Sequence, residues 1–89
     1  LSADERQAAL ALPRALNKAA NDIRAGHDVA SVTAAASAEI LAAGFARVDY
    51  FALADATTMA ACSSYDGRPA RLLAAAKIGK TSLIDNIAI

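Results

Sequence analysis

An α+β fold, with a two-helix hairpin packed on one face of a three-stranded, mostly antiparallel sheet, is what this sequence predicts. Three observations predict it. Larger apolar residues recur at three-and-four spacing through the first half, the period switches to alternation after Gly44, and two apolar runs near the C-terminus flank a turn at Gly79. Helices followed in sequence by strands place the helices on one face of an antiparallel sheet.

Ser2-Ala3-Asp4-Glu5 is a capping box, with the Ser2 hydroxyl accepting from the Glu5 amide and the Glu5 side chain reaching back to the Ser2 amide. Leu12, Leu16 and Ile23, with Ala9, Ala19 and Ala20 between them, mark one helical face. Pro13 lacks an N–H and clashes with the preceding turn, which predicts a short helix to about Ala11 and a main helix to Arg24, ended by Gly26. Asp28 caps the next helix, whose Val29, Val32, Ala36, Ile40 and Ala43 keep helical spacing until Gly44. Alanines on both facing sides let the two helix axes approach closely. Val48, Tyr50, Ala52 and Ala54 alternate with Asp49, Phe51, Leu53 and Asp55, as in a strand with at least one buried face. Ala56 to Ala61 reads as a helical turn capped by Thr57, and Ser63 to Pro69 as an exposed loop. Arg71 to Ile78, the turn at Gly79 and a second strand closing on Asp85-Asn86 form a β-hairpin, the structural centre that the upstream helices cover.

The chain has 89 residues, enough for one small core and therefore one domain, residues 1–89. Its hydrophobic fraction of 56% is mostly alanine, with no Trp and two each of Phe and Tyr, so stability rests on close helix packing and a few larger side chains. Nine basic and nine acidic residues cancel, which argues against a nucleic-acid module. No apolar run is longer than Leu72 to Ala76, which is far short of the roughly 20 residues a membrane helix needs. No signal peptide is legible, and the single Cys62 cannot form an internal disulfide, so a cytoplasmic setting is expected. A cap at Ser2 directly after Leu1 predicts a piece of a longer protein.

Five groups of residues invite a chemical reading. Gly79-Lys80-Thr81 matches the end of a phosphate loop, but the first glycine of that motif would stand at Ala74, and Ser82-Leu83-Ile84 reads as strand where a helix should open. A hairpin glycine beside an exposed lysine is the expectation. His27 and Asp28 are adjacent, but a metal site needs three or four converging donors, so they read as a turn histidine beside a helix cap. Cys62 reads as a small filler, since one distant histidine makes no dyad. Arg47, Arg68, Arg71, Lys77 and Lys80 share the strand half with Asp49, Asp55, Asp66 and Asp85, which predicts cross-strand charge pairs on a solvated sheet face. Asp85-Asn86 reads as a structural hydrogen-bonding pair. No catalytic, cofactor-binding or metal-binding residue is assigned.

Four stretches together resemble the C-terminal domain of the pantoate–β-alanine ligases, or pantothenate synthetases. They are Leu1-Ser2-Ala3-Asp4-Glu5-Arg6, Val48-Asp49-Tyr50, Ala54-Asp55-Ala56-Thr57-Thr58-Met59 and the closing segment from Ala70 to Ile87, in which Leu83-Ile84-Asp85-Asn86 is the most specific mark. Pro13 and the polar loop Ser63-Ser64-Tyr65-Asp66 depart from the family pattern. The resemblance implies a lid domain that closes over the nucleotide site of a longer, homodimeric enzyme, while the chemistry sits in an N-terminal Rossmann-like domain. That enzyme would use ATP and Mg²⁺ to adenylate pantoate and then transfer the pantoyl group to β-alanine. The family's His-x-Gly-His and Ser-Ser-Arg-Asn motifs are not in these residues, so the fragment alone is expected to be inactive and to bind no nucleotide tightly. Lys77 and Lys80, near the sheet edge, are the first bases to consider for any nucleotide contact. The competing expectation is a non-enzymatic α+β interaction module.

Overall fold

The capping box sets the start of the chain: Ser2 N donates to Glu5 Oε1 at 2.9 Å, and Glu5 N donates to Ser2 Oγ at 3.1 Å. In the computed structural model, which describes residues 1–89, three helices follow: α1 (Ala3–Ala9), α2 (Ala11–Arg24) and α3 (Val29–Ala42). The strands are β1 (Arg47–Asp55), β2 (Ala70–Ile78) and β3 (Thr81–Ala88).

The first helix ends earlier than expected, at Ala9, and Pro13 sits inside the first turn of α2. The cause is the carbonyl four residues before the proline. Pro13 cannot donate to Ala9 O and its ring crowds that group, so the helix opens there, while the missing N–H falls among first-turn amides that lack helical acceptors anyway. Leu10 bridges the gap, donating to Gln7 O and accepting from Arg14 N, both at 3.3 Å. The ends of α2 and α3 share one hydrogen-bond pattern. Gly26 N and His27 N donate to Ile23 O and Asp22 O, and Gly44 N and Phe45 N to Leu41 O and Ile40 O, the two bonds of a Schellman motif in each case. Asp28 caps α3 as expected, accepting from Ser31 N at 2.9 Å.

β2 is the centre of a fully antiparallel sheet of order β1-β2-β3. β1 does not alternate cleanly. Its register on β2 jumps between Val48, opposite Ala76, and Tyr50, opposite Ala75, leaving Asp49 as the extra residue of a bulge. The insertion puts Val48 on the same face as Phe51 and Leu53, where strict alternation would have put it with Tyr50 and Ala52. β3 continues to Ala88 instead of closing on Asp85-Asn86, because Ile89 N donates to Ala70 O at 2.9 Å and holds the strand to the end of β2.

The expected helical turn over Ala56 to Ala61 is reduced to a single turn that starts at Asp55, closed by Met59 N donating to Asp55 O at 2.8 Å, and Asp55, not Thr57, does the capping. Asp55 Oδ1 accepts from Thr57 N and Thr58 N at 2.8 and 2.9 Å, Met59 takes a positive φ of 61°, and Ala61 then returns to pair with Ala54. A short Asx-type turn wins because the aspartate satisfies both amides at once.

The core lies on one face of the sheet only. Leu12, Leu16 and Ile23 of α2 and Ile40 of α3 pack on Phe51, Leu53, Leu72, Ala74, Ala76 and Ile78. Between the two long helices, Ala15, Ala19 and Ala36 are buried, so the helix layer can lie flat on the strands. No helix is long and apolar enough to cross a membrane. Leu16, with no exposed surface, lies at the middle of this layer. Leu16→Ala is expected to cost about 2–5 kcal/mol, a large part of a small domain's stability, seen as a drop in urea midpoint with unchanged slope.

The carboxylates with displaced titration are all caps. Backbone amides hold Glu5, Asp28 and Asp55 below their ordinary values, through the amides of Ser2, Ser31 and Thr58 with Thr57 respectively. A carboxylate that is more acidic in the folded state stabilises above its unfolded pKa and loses that contribution as pH falls through the folded value. The urea midpoint is therefore expected to hold between neutrality and about pH 5 and to fall below about pH 4. The triple variant Glu5→Gln, Asp28→Asn, Asp55→Asn keeps acceptors that do not titrate, and its midpoint should fall less over the same range.

Candidate functional site

Gly79-Lys80 forms the two-residue connection of the β2–β3 hairpin, with Ile78 paired to Thr81. Gly79 has φ 55° while Lys80 is not in the positive region, the pattern of a II′ turn with glycine first. The Glu5 side chain occupies the space where a Cβ on Gly79 would lie. A carboxylate against the turn and a strand where a helix would have to begin leave no cradle for phosphate. His27 and Asp28 also fall in their structural roles, at the α2–α3 turn and the α3 cap. Nowhere do three or more His, Cys, Asp or Glu side chains converge as metal ligands. Cys62 is half-buried, with its thiol 3.6 Å from Ala60 O.

A cleft of about 290 Å³ opens between the end of the sheet and the loop after β1, lined by Asp55, Cys62, Tyr65, Asp66 and Arg68 among others. Its charged groups are already engaged with one another or with backbone. Asp55 holds the turn amides, and Asp66 Oδ2 pairs with Arg68 Nε at 3.2 Å. The cleft therefore presents little free chemistry.

The face of the sheet away from the helices is a different matter. Register places four rows on it: Arg47, Lys77 and Ser82; Tyr50, Ala75 and Ile84; Ala52, Leu73 and Asn86; Ala54, Arg71 and Ala88. Ala54 and Ala75 are buried yet lie outside the helix-side core, shielded by their neighbours on this face. Tyr50 and Ile84 are 45% and 74% exposed. The molecule is only 16 Å thick along its shortest axis, one sheet and one helix layer. Nothing in these 89 residues covers the second face.

The expected cross-strand charge pairs do not form. The ion pairs present are Lys18 with Glu39 between helices, Arg47 with Asp49 across the bulge, and Arg68 with Asp66 in the loop. Asp85 cannot answer Lys77 or Arg71 because the pleat sends it to the helix side, opposite Ala74. Arg71 instead donates through Nε and Nη2 to Asn86 Oδ1 at 3.0 and 2.6 Å, so Asn86 is a structural partner as expected. Lys77 makes no ion pair, and it stands on the central strand, not at the sheet edge where the sequence reading put it. Lys80 is exposed in the turn. Sequence reading missed Tyr50 and Ile84 as surface residues of one patch; only the registers of β1 and β3 on β2 show that the two flank Ala75 on one face.

The sequence model of the pantoate-beta-alanine ligase family matches residues 1–88. A pantothenate synthetase of Rhizorhabdus wittichii is similar at 52% identity over 89 residues, covering 100% of this chain and 31% of that protein. Those of Sphingopyxis alaskensis and Novosphingobium aromaticivorans are similar at 52% and 48% identity, again over the whole of this chain and 32% and 31% of theirs. The chain thus spans about a third of the length of the curated relatives it matches.

The hairpin assignment of Gly79-Lys80 is checked by stability. Gly79→Ala should cost about 1–2 kcal/mol or more, because an L residue must adopt positive φ and displace Glu5. Lys80→Ala should stay within about 0.5 kcal/mol and leave pyrophosphate binding at its unmodified, negligible level.

Proposed function

Because the chain belongs to the pantoate–β-alanine ligase family, we propose that it is the C-terminal lid domain of an enzyme that condenses pantoate with β-alanine. In this reading an N-terminal Rossmann-like domain of the same polypeptide binds ATP and holds the reacting groups. The pantoate carboxylate attacks the α-phosphorus, pyrophosphate leaves, and the amine of β-alanine then displaces AMP from the acyl carbon to give the amide.

The contribution of these 89 residues is positional. An acyl-adenylate is open to hydrolysis, and a rigid cover that excludes water directs it to the amine. The sheet and its single helix layer supply such a cover: a stiff slab hydrogen-bonded across three strands, with one face packed and the other free. The donor set on the free face does not fit Mg²⁺, which takes oxygen ligands. Its basic side chains are Arg47, Lys77 and Arg71, and its neighbouring carboxylate Asp49 is already paired to Arg47 at 2.8 Å. The ion therefore has no step assigned to this chain. A cytoplasmic homodimer is the assembly proposed for the whole enzyme.

What supports the reading is the match over residues 1–88 combined with the one-third coverage of its relatives. The full-length polypeptide should release AMP from ATP only when pantoate and β-alanine are both present. The 89-residue chain alone should release none and show no heat on titration with ATP and pantoate. AMP release by the short chain, or its micromolar binding of ATP, would place the active site wrongly; no AMP release by the full-length polypeptide would overturn the ligase reading.

A further inference from the structure

We propose that the outer edge of β3 is held closed against pairing with a second copy of this chain by two side chains, Arg24 on the carbonyl of Ala88 and Asp85 on the amide of Asn86. The inference is independent of the ligase reading and concerns a contact that reading does not use.

Backbone direction defines the edge. Along a strand, the N–H and C=O of one residue point to the same side, and those of the next residue to the opposite side. Ile89 N donates to Ala70 O of β2, so the alternate residues Ser82, Ile84, Asn86 and Ala88 aim their backbone groups away from the sheet. No fourth strand meets them. Such an edge is a template for a like edge, and two antiparallel copies of β3 are able to pair across a two-fold axis. The side chain of Ile84, 74% exposed, adds apolar surface at the middle of that edge.

The two side chains occupy the groups which that pairing needs. Asp85 Oδ1 accepts from Asn86 N at 2.8 Å, and Arg24 Nη2 donates to Ala88 O at 3.3 Å. Arg24 is steadied at the end of α2 by Nη1 donating to Asn21 Oδ1 at 3.3 Å. Of the four outward residues, Ser82 and Ile84 alone keep both backbone groups free. Any register within the strand that pairs more than these two takes the amide of Asn86 or the carbonyl of Ala88. The opposite edge of the sheet is closed by backbone: β1 is bulged at Asp49, and Cys62 N donates to Leu53 O at 2.9 Å. At β3 the closure rests on side chains, which substitution can remove without altering the ladder.

Two measurements on the 89-residue chain, which closes a core of its own, test the proposal. The first is amide exchange by NMR on the unmodified chain, each rate taken relative to its unstructured value. The Asn86 amide should exchange about tenfold more slowly than those of Ser82 and Ile84, because a carboxylate covers it. Equal rates would overturn the proposal. The second is light scattering on the unmodified chain and on the double variant Arg24→Ala, Asp85→Ala, with its fold checked by circular dichroism. Freed groups that join a ladder should tighten association at least about tenfold, so the variant doubles in mass where the unmodified chain is a monomer. Ile84→Pro, added to the double variant, removes an outward N–H at an edge position that tolerates proline, and should return the monomer. A folded double variant that stays monomeric sinks the idea, as does association that survives Ile84→Pro. An unmodified chain that already associates, with its Ser82 and Ile84 amides protected, does the same. Where the double variant is unfolded, the exchange comparison decides alone.

Discussion

Everything in this molecule depends on the contact between the central strand and the two long helices. Leu72, Ala74, Ala76 and Ile78 present one side of β2 to Leu12, Leu16, Ile23 and Ile40, and these residues are buried almost completely. Alanine makes the contact possible in two places. Ala74 and Ala76 leave room for helix side chains against the strand, and Ala15, Ala19 and Ala36 let α2 and α3 lie side by side in one layer. With so few large side chains, the packing cannot be loosened anywhere without losing a substantial share of the burial that holds the domain together.

Because all of that packing is spent on one face, the other face is left over. The pleat distributes side chains strictly, so the same strands that bury Leu72 and Ile78 must display Leu73, Ala75 and Lys77 on the opposite side. A third layer would cover them in a larger domain; here there is none. The charges follow the same rule. Asp85 is close to the basic residues in sequence but on the wrong side of the sheet, which leaves Lys77 unpaired and gives the open face its positive character without any net charge on the chain. One face is thus packed and the other open.

The structural role of the acidic residues fits this division. Glu5, Asp28 and Asp55 all spend their oxygens on backbone amides at helix starts or turns, and Asp49 and Asp66 spend theirs on arginines two residues away. The capping residues order the chain locally.

The α+β class, the helix caps at Ser2 and Asp28, the stops at Gly26 and Gly44, and the Gly79 hairpin were legible from the sequence because each is set by residues within a few positions of one another. The same locality disposed of the phosphate-loop reading of Gly79-Lys80-Thr81, and the closing Leu83-Ile84-Asp85-Asn86 marked the family. What the sequence by itself could not determine was set by pairing across the sheet. The bulge at Asp49 depends on how β1 meets β2, and it alone decides that Val48 turns inward. The extension of β3 to Ala88 depends on the bond from Ile89 to Ala70, and the lack of an ion-pair partner for Lys77, between Arg47 and Ser82, depends on the register of all three strands together. Residues far apart in the chain have no common signal until the hydrogen-bonded ladder brings them opposite one another, so the candidate surface became visible only in the tertiary structure.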